Sequence, residues 1–383
     1  METPYFVIDQ NKLADNLQEL QEALAATFAK SIIGYSFKTN SVPWILDFMK
    51  CAGCYAEVVS DDEYQLAQKC GYAPDKIIYN GPAKSEATFA DALAQGAIIN
   101  LETHRELRWL EKYAMTGTKV GLRIQIDVET FCPGETAMGE LGGRFGFQLA
   151  ELPEILQQLQ RLGVKLAGLH VHTSSRTRSL KVYQVLARES VAIIQQYQLN
   201  LDYLDIGGGF FGGDRAIPSF FDYMTVIRQQ LQQLVNFTDL TLIVEPGASL
   251  IATPVSYVTS VIDVKRTPRQ IYVTTDGTRL HLDHLFVKTS YQYQIRGQSA
   301  EDVVPQQIIA GFTCIENDHL FILKNAPLLK ENQQIIYEKV GSYTMCFNPL
   351  FIKYFPAVYV KNDEGMKLVR RRWTVEDYVR GAK

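Results

Sequence analysis

The sequence carries no excess of basic residues: 38 Lys and Arg stand against 42 Asp and Glu, a formal net charge of −4. A chain without a basic field has little attraction for a phosphate backbone, so nucleic acid is not an expected partner. It contains no uninterrupted apolar run near the roughly 20 residues that cross a bilayer, and no membrane contact is expected. The opening Met1-Glu2-Thr3 lacks the basic start and apolar middle of a secretory leader, which predicts a cytoplasmic location. Six cysteines in 383 residues do not make a disulfide framework. Cys51 and Cys54 form one CxxC with neither a second pair nor a nearby histidine, so no metal is expected. Low-complexity linkers and short repeats are missing too, and 46% hydrophobic with 21% charged residues excludes a disordered chain.

What is present is an alternation. Apolar runs rich in β-branched residues give way to longer segments whose apolar positions recur at three and four. Candidate strands cover 31–37, 54–59, 76–79, 97–101, 119–128, 166–172, 201–206 and 240–244. Helical segments fill 42–51, 60–70, 85–93, 103–113, 152–162, 179–198 and 220–235. Two of these open on a capping-box signature, Ser60 with Glu63 and Thr103 with Glu106. Continuous apolar strands joined by helices predict an α/β fold, a closed (β/α)8 TIM barrel, with an open doubly wound sheet as the alternative. Past Glu245 the texture changes to short strands, 255–264, 270–275, 307–310 and 334–339, between Pro, Gly and polar turns. A second, C-terminal β-rich domain is expected there, and the strand at 3–9, which precedes a helix over 12–28, is expected to join its sheet. The expected boundaries are 12–250 for the barrel, and 1–11 with 251–383 for the β-rich domain.

The C-terminal strand ends of such a barrel form its active face. Lys38, Glu57, His172, Gly207 to Gly209 and Glu245 stand at or just beyond those ends. Lys38 follows Gly34-Tyr35-Ser36-Phe37, a largely apolar surround that would lower an amine's pKa and free its lone pair for imine formation; read alone, it also fits a snorkelling surface lysine. Gly207, Gly208 and Gly209 let the backbone approach an anion with its N–H groups unshielded, or form a flexible turn; their spacing is wrong for a dinucleotide fold. Glu245-Pro246-Gly247 sets an acid before a rigid turn, where it can hydrogen-bond a protonated ring nitrogen or cap the turn itself. His170 and His172 alternate along a strand, which predicts opposite faces, with only His172 at the mouth. Thr173, Ser174 and Ser175 follow with hydroxyls suited to phosphate or substrate oxygens.

Taken together and in order, the motifs Tyr35-Ser36-Phe37-Lys38-Thr39-Asn40, Ala56-Glu57-Val58-Val59-Ser60, Gly142-Gly143-Arg144-Phe145-Gly146, Gly168-Leu169-His170-Val171-His172-Thr173, Asp205-Ile206-Gly207-Gly208-Gly209, Glu245-Pro246-Gly247, Gly311-Phe312-Thr313-Cys314 and Gly341-Ser342-Tyr343-Thr344 resemble those of the fold-type III pyridoxal phosphate enzymes. The resemblance is to the diaminopimelate and ornithine decarboxylase group and spans nearly the whole chain. It implies pyridoxal 5'-phosphate as cofactor, held as a Schiff base by Lys38, with Glu245 at the pyridinium, His172 stacked on the ring and Glu57 near the imine. By the same resemblance Gly207, Gly208, Gly209, Ser175 and Tyr343 grip the phosphate, Gly247 and Arg123 also contribute to cofactor binding, and Arg123 and Arg144 support the network. Cys314 would come from the partner subunit of a homodimer with shared active sites and protonate the product carbon. The implied reaction is α-decarboxylation of an amino acid, since a protonated ring is the deeper electron sink. The racemases of this fold type place an arginine at the ring nitrogen instead.

Two departures bear on the substrate. Ala248 stands where the resembling enzymes commonly have Arg, and Ile315 follows the cysteine where decarboxylases of basic substrates carry an acid; here the acid, Glu316, comes one residue later. A free distal ammonium against Ile315 would forgo a charge-assisted hydrogen bond of about 1.5–3 kcal/mol, which favours a modified or conjugated amino acid. Arg176 and Arg178 could supply charge for an acidic or carrier-tethered substrate, or form a solvated loop. Racemisation or elimination with the same cofactor, and a non-catalytic regulatory relative, are the competing readings.

Overall fold

The computed structural model describes residues 1–137, 142–297 and 302–382. The chain divides into two compact units, Asn16–Ser249 and a second made of Met1–Asp15 with Leu250–Lys383. Strand β1 (Tyr5–Asp9) belongs to the second unit. The first is a closed parallel barrel of β2 (Ser31–Ser36), β3 (Tyr55–Ser60), β4 (Ile77–Ala83), β5 (Ile98–Leu101), β6 (Lys119–Arg123), β7 (Lys165–His170), β8 (Tyr203–Asp205) and β9 (Thr241–Val244), with β9 pairing back onto β2. Closure excludes the open doubly wound alternative. It also leaves no unpaired strand edge and points all eight C-terminal ends at one mouth.

The helices form where the sequence sets both a start and an apolar stripe. Ser60, Ser85, Thr103 and Ser219 each accept a hydrogen bond from the N–H three residues on, which satisfies one of the donors a helix start leaves orphaned. At Thr103 the box is reciprocal. At Ser60 it is not, because the Glu63 carboxylate reaches back to the Val59 N–H, one residue earlier than expected. The helix Pro43–Cys51 buries Ile45, Leu46 and Met49, and the helix Leu152–Arg161 buries Leu152, Ile155 and Leu159, each one apolar face of a 3.6-residue turn. Glu86–Gln95 ends on Gly96 at φ 81°, a left-handed cap that suits glycine.

In the second unit β1 lies between β10 (Val255–Arg266), to which it is antiparallel, and β16 (Ala357–Asn362), to which it is parallel. The N-terminal strand thus enters the C-terminal sheet, as the alternation suggested. That sheet runs β14-β13-β11-β10-β1-β16-β17, and β15 pairs with both β10 and β12. The ranges are β11 Ile271–Thr275, β12 Gln292–Arg296, β13 Val303–Ala310, β14 His319–Pro327, β15 Gln334–Glu338 and β17 Gly365–Arg370. Strands β12, β14, β16 and β17 were not expected from the sequence. β12 alternates exposed polar with half-buried residues and β17 is exposed or half-buried throughout, so neither offers a clear apolar run, whereas β14 and β16 do carry one, 320–323 and 357–360, that the expectation passed over. The expected strand 119–128 stops at Arg123, and its tail becomes an isolated bridge at Ile124 and a short helix, Val128–Phe131, capped by Asp127.

Just past the C-terminal ends of β4 and β5 lies a fully buried ion pair, Lys84 to Glu106 at 2.7 Å, and the same amine also donates to the Gly81 carbonyl at 2.7 Å. Removing one member leaves the other charge desolvated and alone. Lys84→Met is therefore expected to lower stability by about 3–5 kcal/mol, read as a shift in the urea midpoint, while a surface exchange such as Lys30→Met moves it little.

Candidate active site

Each of the eight barrel strands, or the residues just after it, delivers a polar side chain to the site: Lys38 after β2, Glu57 and Asn80 from within β3 and β4, Asn100 on β5, Arg123, His170 and Asp205 at the ends of β6, β7 and β8, and Glu245 after β9. Except for Lys38, all are buried. Lys38 sits in a single 3-10 turn, Phe37–Thr39, that follows β2 directly and turns its amine into the opening. Its Nζ lies 3.1 Å from Glu57 Oε2. The surround expected to be apolar thus includes a buried carboxylate that pairs with the amine.

Glu57 also accepts from Ser36 Oγ at 2.5 Å and from Asn80 Nδ2 at 3.1 Å. Burial pushes its carboxyl up, but the Lys38 charge and these hydrogen bonds outweigh burial and hold it below the ordinary range. The opposite holds across the mouth. Burial, then the charges of Asp205 and Glu57, raise Glu245 well above the usual carboxylate value, and burial raises Asp205 to about 7. These two acids share a hydrogen bond, so the pair retains a proton where Glu57 does not. The carboxylate Oε1 of Glu245 accepts from Asn80 Nδ2 at 2.5 Å, and its Oε2 faces His170 Nε2 at 3.6 Å.

The histidines correct the alternation argument. β7 ends at His170, so period-two alternation no longer governs His172, and the two rings lie nearly parallel, 6.3 Å apart at an interplanar angle of 20°. Both face the mouth. Burial, then the Arg123 charge, depresses both below the ordinary histidine value, so both are neutral. His172 Nδ1 accepts the Gly208 N–H at 3.3 Å. The glycines leave no room for side chains: a Cβ at Gly207 would lie 2.4 Å from His172 Nδ1, and one at Gly208 would lie 2.0 Å from the Glu245 carbonyl oxygen. Gly247 packs similarly on Thr39, where a Cβ would lie 2.1 Å from Oγ1.

Arg123 pairs with Glu102 at 3.0 Å, and its guanidinium and that of Arg144 both lie over the Phe145 ring. Together with Gln125, His172 and Thr173 they line a pocket of ≈ 290 Å³. The Thr173 hydroxyl is buried in it without a hydrogen-bond partner among the described residues. Ser175 is already engaged, accepting from the Arg178 N–H at 2.7 Å and donating to the Glu135 carbonyl at 3.4 Å. Arg178 lays its guanidinium 5.0 Å from the Phe211 ring centre, and Arg176 is exposed. Ala248 opens a short helical turn, Ala248–Ile251. In the second unit Cys314, Ile315 and Glu316 are exposed in the turn between β13 and β14 and line a ≈ 480 Å³ cleft with Lys265 and His319, and Tyr343 is exposed at φ 54°.

Reading strand ends missed Asn80, Asn100 and His170 as parts of the site. The signal was present: an amide closing each of the apolar runs Ile77-Ile78-Tyr79 and Ile98-Ile99 has no reason to be buried unless it has partners. As a receptor, the His170, Asp205 and Glu245 cluster, whose ligand atoms lie within 4.8 Å of one another, combines a proton-sharing carboxyl pair with a neutral imidazole. It can accept one positively charged donor, either a metal cation or a protonated ring nitrogen.

Comparison with known proteins gives a consistent picture. The family model described as "Pyridoxal-dependent decarboxylase, pyridoxal binding domain" matches residues 13–252, more than half of the chain. A probable chloroplastic diaminopimelate decarboxylase of Oryza sativa subsp. japonica is 27% identical over 99% of this chain and 79% of that protein. The L-glutamyl-(BtrI acyl-carrier protein) decarboxylase of Niallia circulans is 25% identical over 99% of this chain and 93% of that protein. The crystal structure of diaminopimelate decarboxylase from Helicobacter pylori complexed with L-lysine shares the fold, with a TM-score of 0.85 at 24% identity, covering 99% of this chain and 96% of that one.

The carboxyl pair makes a prediction about stability. Asp205 has a folded pKa of about 7 against an unfolded value near 3.8, so its protonated form is the one the fold favours. Its contribution is complete below the unfolded value and is lost as pH rises through the folded one. In cofactor-free protein, Asp205→Asn should flatten the fall in stability between about pH 4 and pH 7 by on the order of 1 kcal/mol per pH unit, measured by urea unfolding across that range. An unchanged slope would mean that Asp205 does not hold the proton.

Proposed function

The chain belongs to the pyridoxal-dependent decarboxylase family, and from that membership we propose how the residues of its barrel mouth divide the work. It is a pyridoxal phosphate-dependent amino-acid decarboxylase, a carboxy-lyase. The residues fit the cofactor: the buried Asp205–Glu245 pair beside a neutral His170 is one positive charge short, and a protonated pyridine nitrogen supplies it. When bound, pyridoxal phosphate supplies an electron sink for the pair left by a departing carboxylate.

Lys38 holds the cofactor covalently through Nζ. Glu57, 3.1 Å from that nitrogen and kept ionised, takes and returns protons there. Glu245 holds the ring nitrogen in its protonated form, and a carboxylate in that place, where the racemases of this fold type have an arginine, favours loss of CO2. His172 lies against the ring. Gly207, Gly208, Gly209, Gly247, Ser175, Tyr343 and Arg123 complete the grip on the cofactor. The observation that carries this reading is the asymmetry of the mouth: the Lys38 amine lies 3.1 Å from Glu57, while the buried carboxyls of Asp205 and Glu245 lie together beside His170.

The working unit in this reading is a homodimer in which Cys314 of one copy returns a proton to the product carbon in the other. In this reading the barrel is the cofactor domain and the β-rich domain supplies the shared turn. The substrate is an amino-acid conjugate, acidic or carrier-tethered. Ala248 and Ile315 carry no charge to meet a small substrate, while Arg176 and Arg178 of the barrel unit and Glu316 of the sheet unit do. The carrier-protein substrate in the name of the Niallia circulans relative supports the tethered form. The location is cytoplasmic: all six cysteines are free thiols, as a reducing compartment keeps them, and among the described residues no helix is long and apolar enough to cross a membrane.

Lys38→Ala is expected to bring CO2 release to the background rate and to remove the visible imine band of the loaded protein. Turnover retained by that variant would end the assignment. Cys314→Ala should lower kcat by roughly 10²–10⁴-fold while leaving cofactor affinity intact. Mixing it with Lys38→Ala should regenerate one competent site per hybrid dimer, detected as recovered CO2 release. No recovery on mixing would refute the shared site.

A further inference from the structure

Behind Glu57 and Glu245, three uncharged side chains line up head to tail across the barrel interior. The Tyr203 hydroxyl on β8 donates to Asn100 Oδ1 at 2.8 Å. Asn100 Nδ2 on β5 donates to Asn80 Oδ1 at 2.8 Å. Asn80 Nδ2 on β4 spends its two hydrogens on two acids, Glu57 Oε1 at 3.1 Å and Glu245 Oε1 at 2.5 Å. None of the five is more than 7% exposed.

The direction of this chain is forced. A carboxylate oxygen committed to an N–H can only accept, so Asn80 must turn its NH₂ to the acids and its carbonyl to Asn100. Asn100 must then turn its own NH₂ to Asn80 and its carbonyl to Tyr203, which is left to donate. Burial, then the charges of Asp205, Asp202 and Glu245, raise the Tyr203 phenol well above its usual value, so the donor at the head of the chain keeps its hydrogen. Asn100 Nδ2 also lies 3.5 Å from Asp205 Oδ2, a weak branch to the third acid.

The barrel makes room for the phenol. To reach β5 from β8 the Tyr203 ring must pass β6 and β7, and each of those strands carries a glycine at the crossing. A Cβ on Gly168 would lie 2.1 Å from the Tyr203 ring, and one on Gly121 would lie 2.2 Å from its hydroxyl and 2.0 Å from Asn100 Oδ1. Neither glycine has a positive φ, so space and not backbone conformation excludes a side chain there.

We propose that Tyr203, Asn100 and Asn80 are positioning residues of the decarboxylase: a one-way hydrogen-bond chain that ties Glu57 to Glu245 through the two amide hydrogens of Asn80 and so settles which oxygen of each acid it occupies. On Glu57 it leaves Oε2 to Lys38 and Ser36, and on Glu245 it leaves Oε2, on the His170 side, for the ring nitrogen. Any proton on Glu245 is confined to Oε2, since Oε1 already accepts from the amide. The inference rests on the roles proposed above for Glu57 and Glu245.

Tyr203→Phe removes the head donor with almost no change in volume, and Gly121→Ala displaces the hydroxyl from the other side. In the loaded enzyme both variants are expected to shift the pH midpoint of the cofactor's visible absorption by at least about half a unit. Both should lower kcat by about 5–10-fold with KM within about twofold. In ¹⁵N-asparagine-labelled, cofactor-free protein, the side-chain NH₂ signals of Asn80 and Asn100 should be protected from exchange in the parent and lose protection in Tyr203→Phe. Should Gly121→Ala fail to fold, Tyr203→Phe decides alone. A Tyr203→Phe enzyme with an unchanged absorption midpoint and kcat, whatever its melting temperature, would reduce the chain to barrel packing and overturn the proposal. If Lys38→Ala keeps its imine band, the underlying reading fails instead, so the two failures are distinguishable.

Discussion

Three acids, Glu57, Asp205 and Glu245, are buried in one barrel mouth, and like charges so close in a low-dielectric interior cannot all ionise without cations to meet them. The chain supplies one cation directly, Lys38 at Glu57. It keeps Arg123 on Glu102 instead, and depresses both histidines until they are neutral. What remains is a deficit of positive charge at Asp205 and Glu245. In the function proposed above, a protonated ring nitrogen of the cofactor would meet that deficit, so the electrostatic shortage of the empty protein would select the protonated ring on which decarboxylation depends.

Such a shortage is tolerable only in a rigid frame. Barrel closure pairs every strand edge, and the helix caps and buried pairs such as Lys84–Glu106 fix the segments that follow the strand ends. The glycines serve the same end by subtraction. At Gly207 and Gly208 a side chain would strike His172 or the Glu245 backbone, and at Gly121 and Gly168 it would occupy the path of Tyr203. In the sheet unit, Asp318 plays a comparable part for the Cys314 turn, accepting from the Arg279 N–H at 2.8 Å, from Thr278 Oγ1 at 2.8 Å and from Thr313 Oγ1 at 2.6 Å. A turn tied at its base can carry an exposed thiol at a fixed place.

Much of the fold was legible. Eight apolar runs separated by 3.6-period segments leave few architectures other than a closed parallel barrel, and the strand near the N-terminus could be assigned to the second sheet because it precedes the first barrel helix. Strands β12 and β17 escaped, since half-exposed antiparallel strands with polar residues on one face resemble loops in composition, and β14 and β16 escaped although each carries a short apolar run. Among the candidate site residues, Lys38, Glu57, Arg123, His172 and Glu245 could be named from strand ends and motif order. The opposite-face argument for the two histidines failed because it assumed a strand two residues longer than the one that forms.

The sequence by itself determined which side chains stand at strand ends, because side-chain period and strand length are local properties of the chain. Only the tertiary structure decided what they do to one another. Residues as far apart in the chain as Asn80 and Glu245 become hydrogen-bond partners at 2.5 Å only once the barrel closes. Whether a carboxyl is an ionised base or a proton-holding acid depends on burial and on neighbours within a few ångströms, and those distances are set by closure rather than by spacing along the chain.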